Sequence, residues 1–273
     1  MFADYIDKIE IQSLWSGHKH IVWKLQPGVN VLSGKNGAGK STILTRIMQH
    51  ISAIPASGEI RSHVGRSVKV DFMPAEATTI RYDIVRSVDR QLVAADHITS
   101  LGGGRVATEL DWQLYQLQRR YLDYQVNVGN RMIEMLTSGD PSAREQAATA
   151  AAQKTLFQDL VDELFAETGK KIDRQSNELR FLQYDETLSP YILSSGEKQM
   201  LVILLTALCE DMQPYVLLMD EPEVSLHFDW QKRLIDMVTR LNPRAQIILT
   251  THSPAVIMDG WADAVTEVSE ITV

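Results

Sequence analysis

The chain of 273 residues contains one cysteine, Cys209. An internal disulfide is therefore excluded, and the usage fits a reducing compartment. Cys209 closes the apolar run from Leu201 and reads as core packing rather than as a reactive thiol. Long hydrophobic runs are also missing. No stretch approaches the ~18 uncharged residues of a membrane-spanning helix. The N-terminus, Met1-Phe2-Ala3-Asp4-Tyr5, has no basic segment followed by an apolar run, so no signal peptide is expected and the expected location is cytoplasmic. Positive charge is in deficit, with a formal net charge of −8. That gives no support to wholesale nucleic-acid binding, although a local basic patch is compatible with it. There is no fixed-period repeat and no low-complexity tract; the alanine-rich run 147–152 is good helix sequence. What remains is ordinary globular composition, 44% hydrophobic and 23% charged, in a chain long enough for one large core or a core with a subdomain.

One stretch organises this chain: Val31-Leu32-Ser33-Gly34-Lys35-Asn36-Gly37-Ala38-Gly39-Lys40-Ser41-Thr42. It fits G-x-x-x-x-G-K-[ST]. Val29, Val31 and Leu32 before it read as a strand; Ile43, Leu44, Ile47, Met48 and Ile51 after it share one helix face. Glycines let backbone N–H groups curl around a polyphosphate, and the helix N-terminus adds its own N–H groups and partial positive charge. Gly34, Asn36, Gly37, Gly39, Lys40, Ser41 and Thr42 form the candidate phosphate-binding set. Lys40 is expected to reach the β- and γ-phosphates, and the Ser41 hydroxyl to ligate Mg²⁺.

Upstream, residues 5–33 read as strands joined by turns at Ser16-Gly17-His18 and Pro27-Gly28. Trp15 reads as a packed or half-exposed tryptophan, with adenine stacking as the alternative. Downstream, Pro55-Ala56-Ser57-Gly58 breaks the helix. Glu59–Arg61 and Val68–Phe72 read as returning strands that end at Met73-Pro74-Ala75-Glu76. From about Thr79 to Gly169 the pattern predicts helices. Ile80, Ile84, Val88 and Leu92 share a face; Leu101-Gly102-Gly103-Gly104 makes a break. Leu110, Leu114, Leu117, Tyr121, Tyr124 and Val128 then form one face packed on a neighbour. Ser142 and Glu145 predict a capping box, followed by the apolar face Leu156, Leu160, Val161, Leu164 and Phe165 and a Gly169 stop. Leu179–Tyr184 reads as a strand and 185–190 as a loop.

Three further motifs carry chemistry. Tyr215-Val216-Leu217-Leu218-Met219-Asp220-Glu221 reads as a central strand ending in two acids. Asp220 is assigned to Mg²⁺, directly or through water, and Glu221 to polarising the attacking water. Leu193-Ser194-Ser195-Gly196-Glu197-Lys198-Gln199 opens an apolar helix and predicts a second anion site of unpaired N–H groups and hydroxyls, with Ser194 and Gly196 its candidate contacts. A homodimer is the economical arrangement, one subunit closing this site on the γ-phosphate held by the other. Gln246–Ser253 is an apolar strand ending at His252, a candidate γ-phosphate sensor. The catalytic candidates are thus Glu221, His252 and Lys40; the metal candidates are Ser41 and Asp220.

These four motifs, in this order, resemble those of the ATP-binding-cassette ATPases. Glu221-Pro222-Glu223-Val224-Ser225-Leu226-His227 and Thr251-His252-Ser253-Pro254-Ala255-Val256-Ile257 resemble runs of the soluble OLD/RecF branch, relatives of the SMC proteins. The resemblance implies an α/β P-loop NTPase of ABC type. It would have a mixed central sheet, an N-terminal antiparallel β subdomain and a helical subdomain at about 75–212 that includes the signature helix, all in a single domain, 1–273. It further implies ATP and Mg²⁺ as cofactors, ATP hydrolysis, and an ATP-dependent head-to-tail homodimer. A separate partner or effector protein is expected, with family analogy reaching to phage defence and DNA maintenance. Two features depart from the pattern. No glutamine follows the strand that ends at Met73, and Glu76 is the candidate substitute. The residues after His252 leave no room for the nuclease domain of OLD-type proteins, so any such activity is expected on another chain. The alternative reading is a peripheral ATPase subunit of a membrane ABC transporter, supported by Pro55–Ile60 and opposed by the helical region and His227.

Overall fold

Five parallel strands organise the half of the protein that carries the phosphate loop. The computed structural model describes residues 1–15, 17–52, 67–87, 106–138 and 142–273, which fall into two units. The first unit holds the described residues of Met1–Ser87 with Met212–Thr239 and Pro243–Val273. Its central sheet is built from β3 (Val29–Ser33), β5 (Tyr82–Arg86), β9 (Tyr215–Asp220), β10 (Ala245–Thr250) and β11 (Val265–Glu267), in the order β11-β3-β10-β9-β5. All its pairings are parallel. Two of the strands flanked on both sides, β10 and β9, have no polar alternation, and their residues from Tyr215 to Met219 and from Ala245 to Thr250 are all buried. A strand covered on both faces needs such a continuous run.

Antiparallel pairing belongs to a second sheet of the same unit, β2-β1-β4, formed by β1 (Tyr5–Leu14), β2 (Lys19–Lys24) and β4 (Val68–Met73). Its inward residues Ile6, Ile9, Ile11 and Trp23 join Ile43, Ile47 and Ile51 of α1 (Lys40–Ser52) in one core. Leu32, Val216, Leu218 and Ile248 supply the face of the central sheet that enters this core. The buried Gln246 ties the two sheets. Its Oε1 accepts from Ile6 N–H at 2.8 Å, and its Nε2 donates to Ile6 O and Gln26 O, each at 2.8 Å. The side-chain amide thereby serves as a strand partner for β1. The amphipathic α5 (Phe228–Leu241) buries Leu234, Ile235, Met237, Val238 and Leu241, and the short α6 (Ala255–Met258) follows β10.

The second unit takes the described residues from Val106 to Asp211, with Arg240–Asn242. Its longest element is α2 (Glu109–Thr137), opened by a capping box of Thr108 and Asp111. The buried face is Leu110, Leu114, Leu117, Tyr121, Tyr124 and Val128, as the spacing predicts, while Leu122, Val126, Ile133 and Leu136 are exposed. Helix α2 packs on α3 (Ala143–Leu164) and on α4 (Ser195–Cys209). Residues 197–208 of α4 are all buried, as expected of a helix apolar all round. Cys209, at its end, is half-buried. Three short strands, β6 (Lys171–Ile172), β7 (Phe181–Gln183) and β8 (Glu186–Leu188), complete the unit.

Several expectations are corrected. Ile80 and Ile84 do not lie on a helix face: Tyr82–Arg86 is a strand on the edge of the central sheet. A spacing of four residues satisfies a period of 2 as well as one of 3.6, and the β-branched pair Ile84-Val85 favours the strand. The loop expected over 185–190 contains β8. Gln183 pairs with Glu186 across Tyr184 and Asp185, both at positive φ (47° and 65°), which is the two-residue hairpin geometry. Neither residue is the asparagine or glycine that would have signalled it. Ser142 makes no side-chain cap. On α3, Phe157 is buried and Leu156 is only half-buried. The expected strand at Glu59–Arg61, the breaks at Pro55–Gly58 and Leu101–Gly104, and the positions Val88 and Leu92 lie outside the described residues.

Candidate functional site

Strand register brings the site together. Thr250 is level with Leu32 on one side and with Asp220 on the other. Three neighbouring parallel strands therefore end in one row, spaced by about 4.8 Å per strand. β3 feeds the phosphate loop, β10 leads into the loop that carries His252, and β9 ends at Asp220, just before Glu221. This is the carboxyl edge of the sheet, where ligands of open α/β folds bind.

The loop turns through three glycines at positive φ: Gly34 (149°), Gly37 (78°) and Gly39 (102°). Gly39 allows no side chain for a second reason. A Cβ there would lie 2.6 Å from two ring carbons of Trp15. Trp15 thus lies on the loop itself, 40% exposed, with the Lys19 ammonium 5.1 Å from its ring centre. Asn36, Gly37 and Ser41 are exposed and Thr42 is half-buried, so the crest of the loop and the start of α1 are open to solvent. Lys40 is buried; its Nζ donates to Gly34 O at 2.8 Å and Lys35 O at 3.4 Å. Those neutral carbonyls hold the ammonium without cancelling its charge. A glycine loop at positive φ, a helix N-terminus and a lysine held only by neutral carbonyls fit a polyphosphate.

Across the row, the Thr250 hydroxyl donates to Asp220 Oδ1 at 2.5 Å and accepts from the Glu221 N–H at 3.1 Å. Ser87 donates to Asp220 O at 2.8 Å. One carboxylate oxygen of Asp220 is thus oriented by a fully buried threonine. The Asp220 carboxylate and the Ser41 hydroxyl are hard oxygen donors of the kind that would hold Mg²⁺. Glu221 sits at φ 47°, a conformation uncommon outside glycine and asparagine. Its Oε1 lies 3.2 Å from His252 Nε2, both side chains being partly exposed. Glu76, the candidate for the missing glutamine, lies in an exposed turn closed by Ala77 N–H to Pro74 O.

Sequence reasoning missed the residues that hold these groups in place. Glu223 is buried, and its Oε1 accepts from Thr251 Oγ1 at 2.5 Å, His252 N–H at 2.9 Å and Ser253 N–H at 3.3 Å. Gln231 of α5 accepts from Ser253 Oγ at 2.6 Å and donates to Leu226 O at 3.0 Å. An acid at the third position of Glu-Pro-Glu, 28 residues before a Thr-His-Ser run, was the available signal.

Ser194 and Gly196 belong to the second unit, at the N-terminus of α4. Ser194 is the N-cap of a capping box with Glu197, whose Oε2 takes both the Ser194 N–H and its hydroxyl at 2.9 Å. The sequence predicts unpaired N–H groups and hydroxyls here; the Ser194 groups are engaged instead, because the acid three residues on closes the box. Glu197 is itself buried. Burial pushes its carboxyl up, but hydrogen bonds from Lys170, from the Ser194 N–H and hydroxyl, and from Thr168 outweigh this and hold it below the usual carboxylate range. Lys170 Nζ lies 2.7 Å from Glu197, and Lys198 Nζ lies 2.8 Å from the buried Asp111 at the start of α2. The first turn of α4 is therefore pinned on two sides.

A phosphate loop, an acidic strand end and a histidine on three adjacent parallel strands, with an antiparallel sheet over α1, define a P-loop ATPase of the ABC and SMC-head kind. The chain belongs to the AAA_21 family, "AAA domain, putative AbiEii toxin, Type IV TA system", whose profile matches residues 110–259. It is 27% identical over 140 residues to the "Retron Vc95 probable ATPase" of Vibrio cholerae serotype O1 biovar El Tor, which covers 47% of this chain and 26% of that protein. It is 43% identical over 42 residues to the "Septu protein PtuA" of Bacillus thuringiensis, 15% of this chain and 11% of that one. The matches thus span about a quarter or less of those relatives. Among solved structures, an Smc head bound to the C-winged helix domain of ScpA superposes with a TM-score of 0.52 at 16% identity, covering 93% of this chain and 91% of the other. That likeness is one of fold. Among the described residues no helix is long and apolar enough to cross a membrane.

Proposed function

We propose that the protein binds and hydrolyses ATP with Mg²⁺, and that ATP binding joins two copies head to tail to regulate a separate partner protein. The observation that carries the catalytic part is the common row of Leu32, Thr250 and Asp220. It supports a division of labour at one sheet edge. Gly34–Thr42 hold phosphates, Lys40 offsets their charge, and Ser41 with Asp220 would hold the cation. Mg²⁺ in that place would neutralise charge on the β- and γ-phosphates. Glu221, with its carboxylate 3.2 Å from His252, orients the attacking water and takes its proton. His252 then responds to the presence of the γ-phosphate.

Dimerisation is favoured by the second motif. Ser194 and Ser195 are exposed at the start of a helix whose first turn is pinned by buried ion pairs. Such an N-terminus is pre-organised for an anion supplied from outside. The Smc head is bound to a domain of another protein, ScpA, in its crystal structure, which supports a partner protein here. Net charge of −8 favours a protein over nucleic acid as that partner.

Glu221→Gln tests the reading. The amide keeps shape but removes the proton acceptor, so hydrolysis should stop while ATP still binds. Light scattering behind size exclusion should then show a dimer with ATP and Mg²⁺ and a monomer without. A variant that binds ATP yet stays monomeric would refute ATP-driven dimerisation, and one that hydrolyses at the wild-type rate would refute the role of Glu221.

A further inference from the structure

Glu223 is an acid that the hydrolytic reading leaves without a task. It is only 6% exposed. A carboxylate withdrawn from water normally satisfies both oxygens or meets a cation. Here Oε1 takes three donors, Thr251 Oγ1, His252 N–H and Ser253 N–H, while Oε2 is buried and has no hydrogen-bond partner among the described residues. All three donors come from the loop that follows β10 and carries His252. The main chain of Glu223 is held as well, its carbonyl accepting from Leu226 N–H at 2.9 Å and from Gln231 Nε2 at 3.4 Å. Gln231 returns to the same loop through Ser253 Oγ, which also accepts from Ala255 N–H at 3.2 Å. The loop after β9 and the loop after β10 are therefore closed on one carboxylate oxygen and one glutamine of α5.

This closure has a consequence for geometry. The 3.2 Å approach of His252 Nε2 to Glu221 Oε1 joins two side chains that are each about a third exposed, so neither ring nor carboxylate is fixed by packing. Their backbones are fixed instead. Glu221 N–H is held by Thr250 O at 3.2 Å and Thr250 Oγ1 at 3.1 Å, and His252 N–H is held by Glu223. We propose that Glu223 is the positioning residue that sets His252 against Glu221, acting through the backbone of residues 251–253 and never touching nucleotide. The proposal deepens the ATPase reading and rests on it for its kinetic arm only.

The full-length, nucleotide-free protein gives the arm that is independent of activity. Residue-resolved amide exchange by NMR should show His252 and Ser253 exchanging faster in Glu223→Ala by about tenfold or more, the loss expected of charge-assisted hydrogen bonds. Amides of the β9–β10 ladder should stay protected as in wild type. Glu223→Gln keeps an oxygen for the three donors but places an amide NH₂ where Oε2 has no partner, so its effect should be intermediate. In the kinetic arm, kcat for ATP hydrolysis by the alanine variant should fall on the order of tenfold to a hundredfold, the cost of misplacing a reacting group by about an ångström. KM should stay within about twofold, because the phosphate loop is untouched. Wild-type protection at His252 in Glu223→Ala would overturn the proposal, as would a KM that rises in step with the loss of kcat. Uniform loss of protection over the whole sheet would show a merely structural role and also overturn it. Should the alanine variant not fold, the glutamine variant decides, with faster exchange confined to His252 and Ser253 in support and wild-type exchange against. If wild-type protein hydrolyses no ATP, the ATPase reading fails, and the exchange arm still settles whether Glu223 holds the histidine loop.

Discussion

Replacing Thr250 by valine would test whether strand-end threonines, more than the acids themselves, set the metal side of the site. Valine keeps the β-branched shape that the strand needs and replaces only the hydroxyl. Two contacts are affected. The bond to Asp220 Oδ1, at 2.5 Å, involves an ionised acceptor and a fully buried donor. Such bonds contribute about 1.5–3 kcal/mol, and because Asp220 is only half-buried and water can reach it, the lower end applies. The Glu221 N–H loses Thr250 Oγ1 but keeps Thr250 O at 3.2 Å, so its share is about 0.5 kcal/mol. The total of about 2 kcal/mol corresponds to a Tm lower by about 4–8 °C for a domain of this size. The functional effect should be larger in kind. With its donor gone, Asp220 loses its set orientation, and the Mg²⁺ concentration for half-maximal ATP hydrolysis should rise on the order of tenfold, the lower range for losing a partner of a metal ligand. Thr250→Ser, which retains the hydroxyl, should keep the wild-type Mg²⁺ dependence. Calorimetry and hydrolysis rates titrated with Mg²⁺ are the assays. Equal Mg²⁺ dependence in the valine variant and wild type would refute the reasoning, and so would a serine variant as impaired as the valine.

Two further perturbations follow from the site and its supports. Gly39→Ala places a Cβ 2.6 Å from the Trp15 ring at φ 102°, so binding of a fluorescent ATP analogue should be lost; adding Trp15→Ala should relieve the clash but leave about 1–3 kcal/mol of backbone strain, restoring affinity only in part. Full recovery in the double variant would show that the ring alone forbids the side chain. Lys170→Met removes the cation 2.7 Å from buried Glu197 and should cost about 2 kcal/mol at pH 7, less than a fully broken buried pair because Ser194 and Thr168 still donate. Glu197 is held below its ordinary value of 4.5, so its contribution is present above that pH and lost as pH falls through the folded value. Urea unfolding of variant and wild type should therefore differ most at neutral pH and converge in acid; a gap that widens in acid would contradict this.

The phosphate loop was legible because its backbone demands are strict. Three positive φ values in six residues leave glycine as the residue for those positions, and the flanking periods of 2 and 3.6 are clean. The acidic and histidine strand ends were legible because a strand buried on both faces announces itself as a run of mostly apolar residues that gives way to polar ones at its end. The failures have equally specific causes. Ile80 and Ile84 fit two periods at once, and pairing with β9 places Ile84 on a strand. The Tyr184-Asp185 turn adopts a conformation that its residues do not advertise. Ser194 reads as an anion contact, although its spacing from Glu197 is that of a capping box. Glu223 depends on donors 28 to 30 residues away in sequence, a distance that local pattern does not register.

What ties these distant groups is the pair Thr250-Thr251. Thr250 closes β10 and reaches Asp220; Thr251 follows it and reaches Glu223. Adjacent residues on an extended chain face opposite ways, so two successive hydroxyls can hold two carboxylates of one neighbouring loop at different places. Valine at either position would suit the strand and lose the donor; serine would supply the donor with less preference for the strand. Threonine alone meets both demands, and both residues are nearly fully buried, 0% and 4% exposed, which leaves little water to take over from a missing hydroxyl. His252, the next residue, is held by its own N–H to Glu223 as well as by these two bonds. The geometry at Glu221 is thus set less by the histidine and glutamate that would act there than by hydroxyls one and two residues away, which is why perturbing Thr250 should alter metal dependence and perturbing Glu223 should alter turnover.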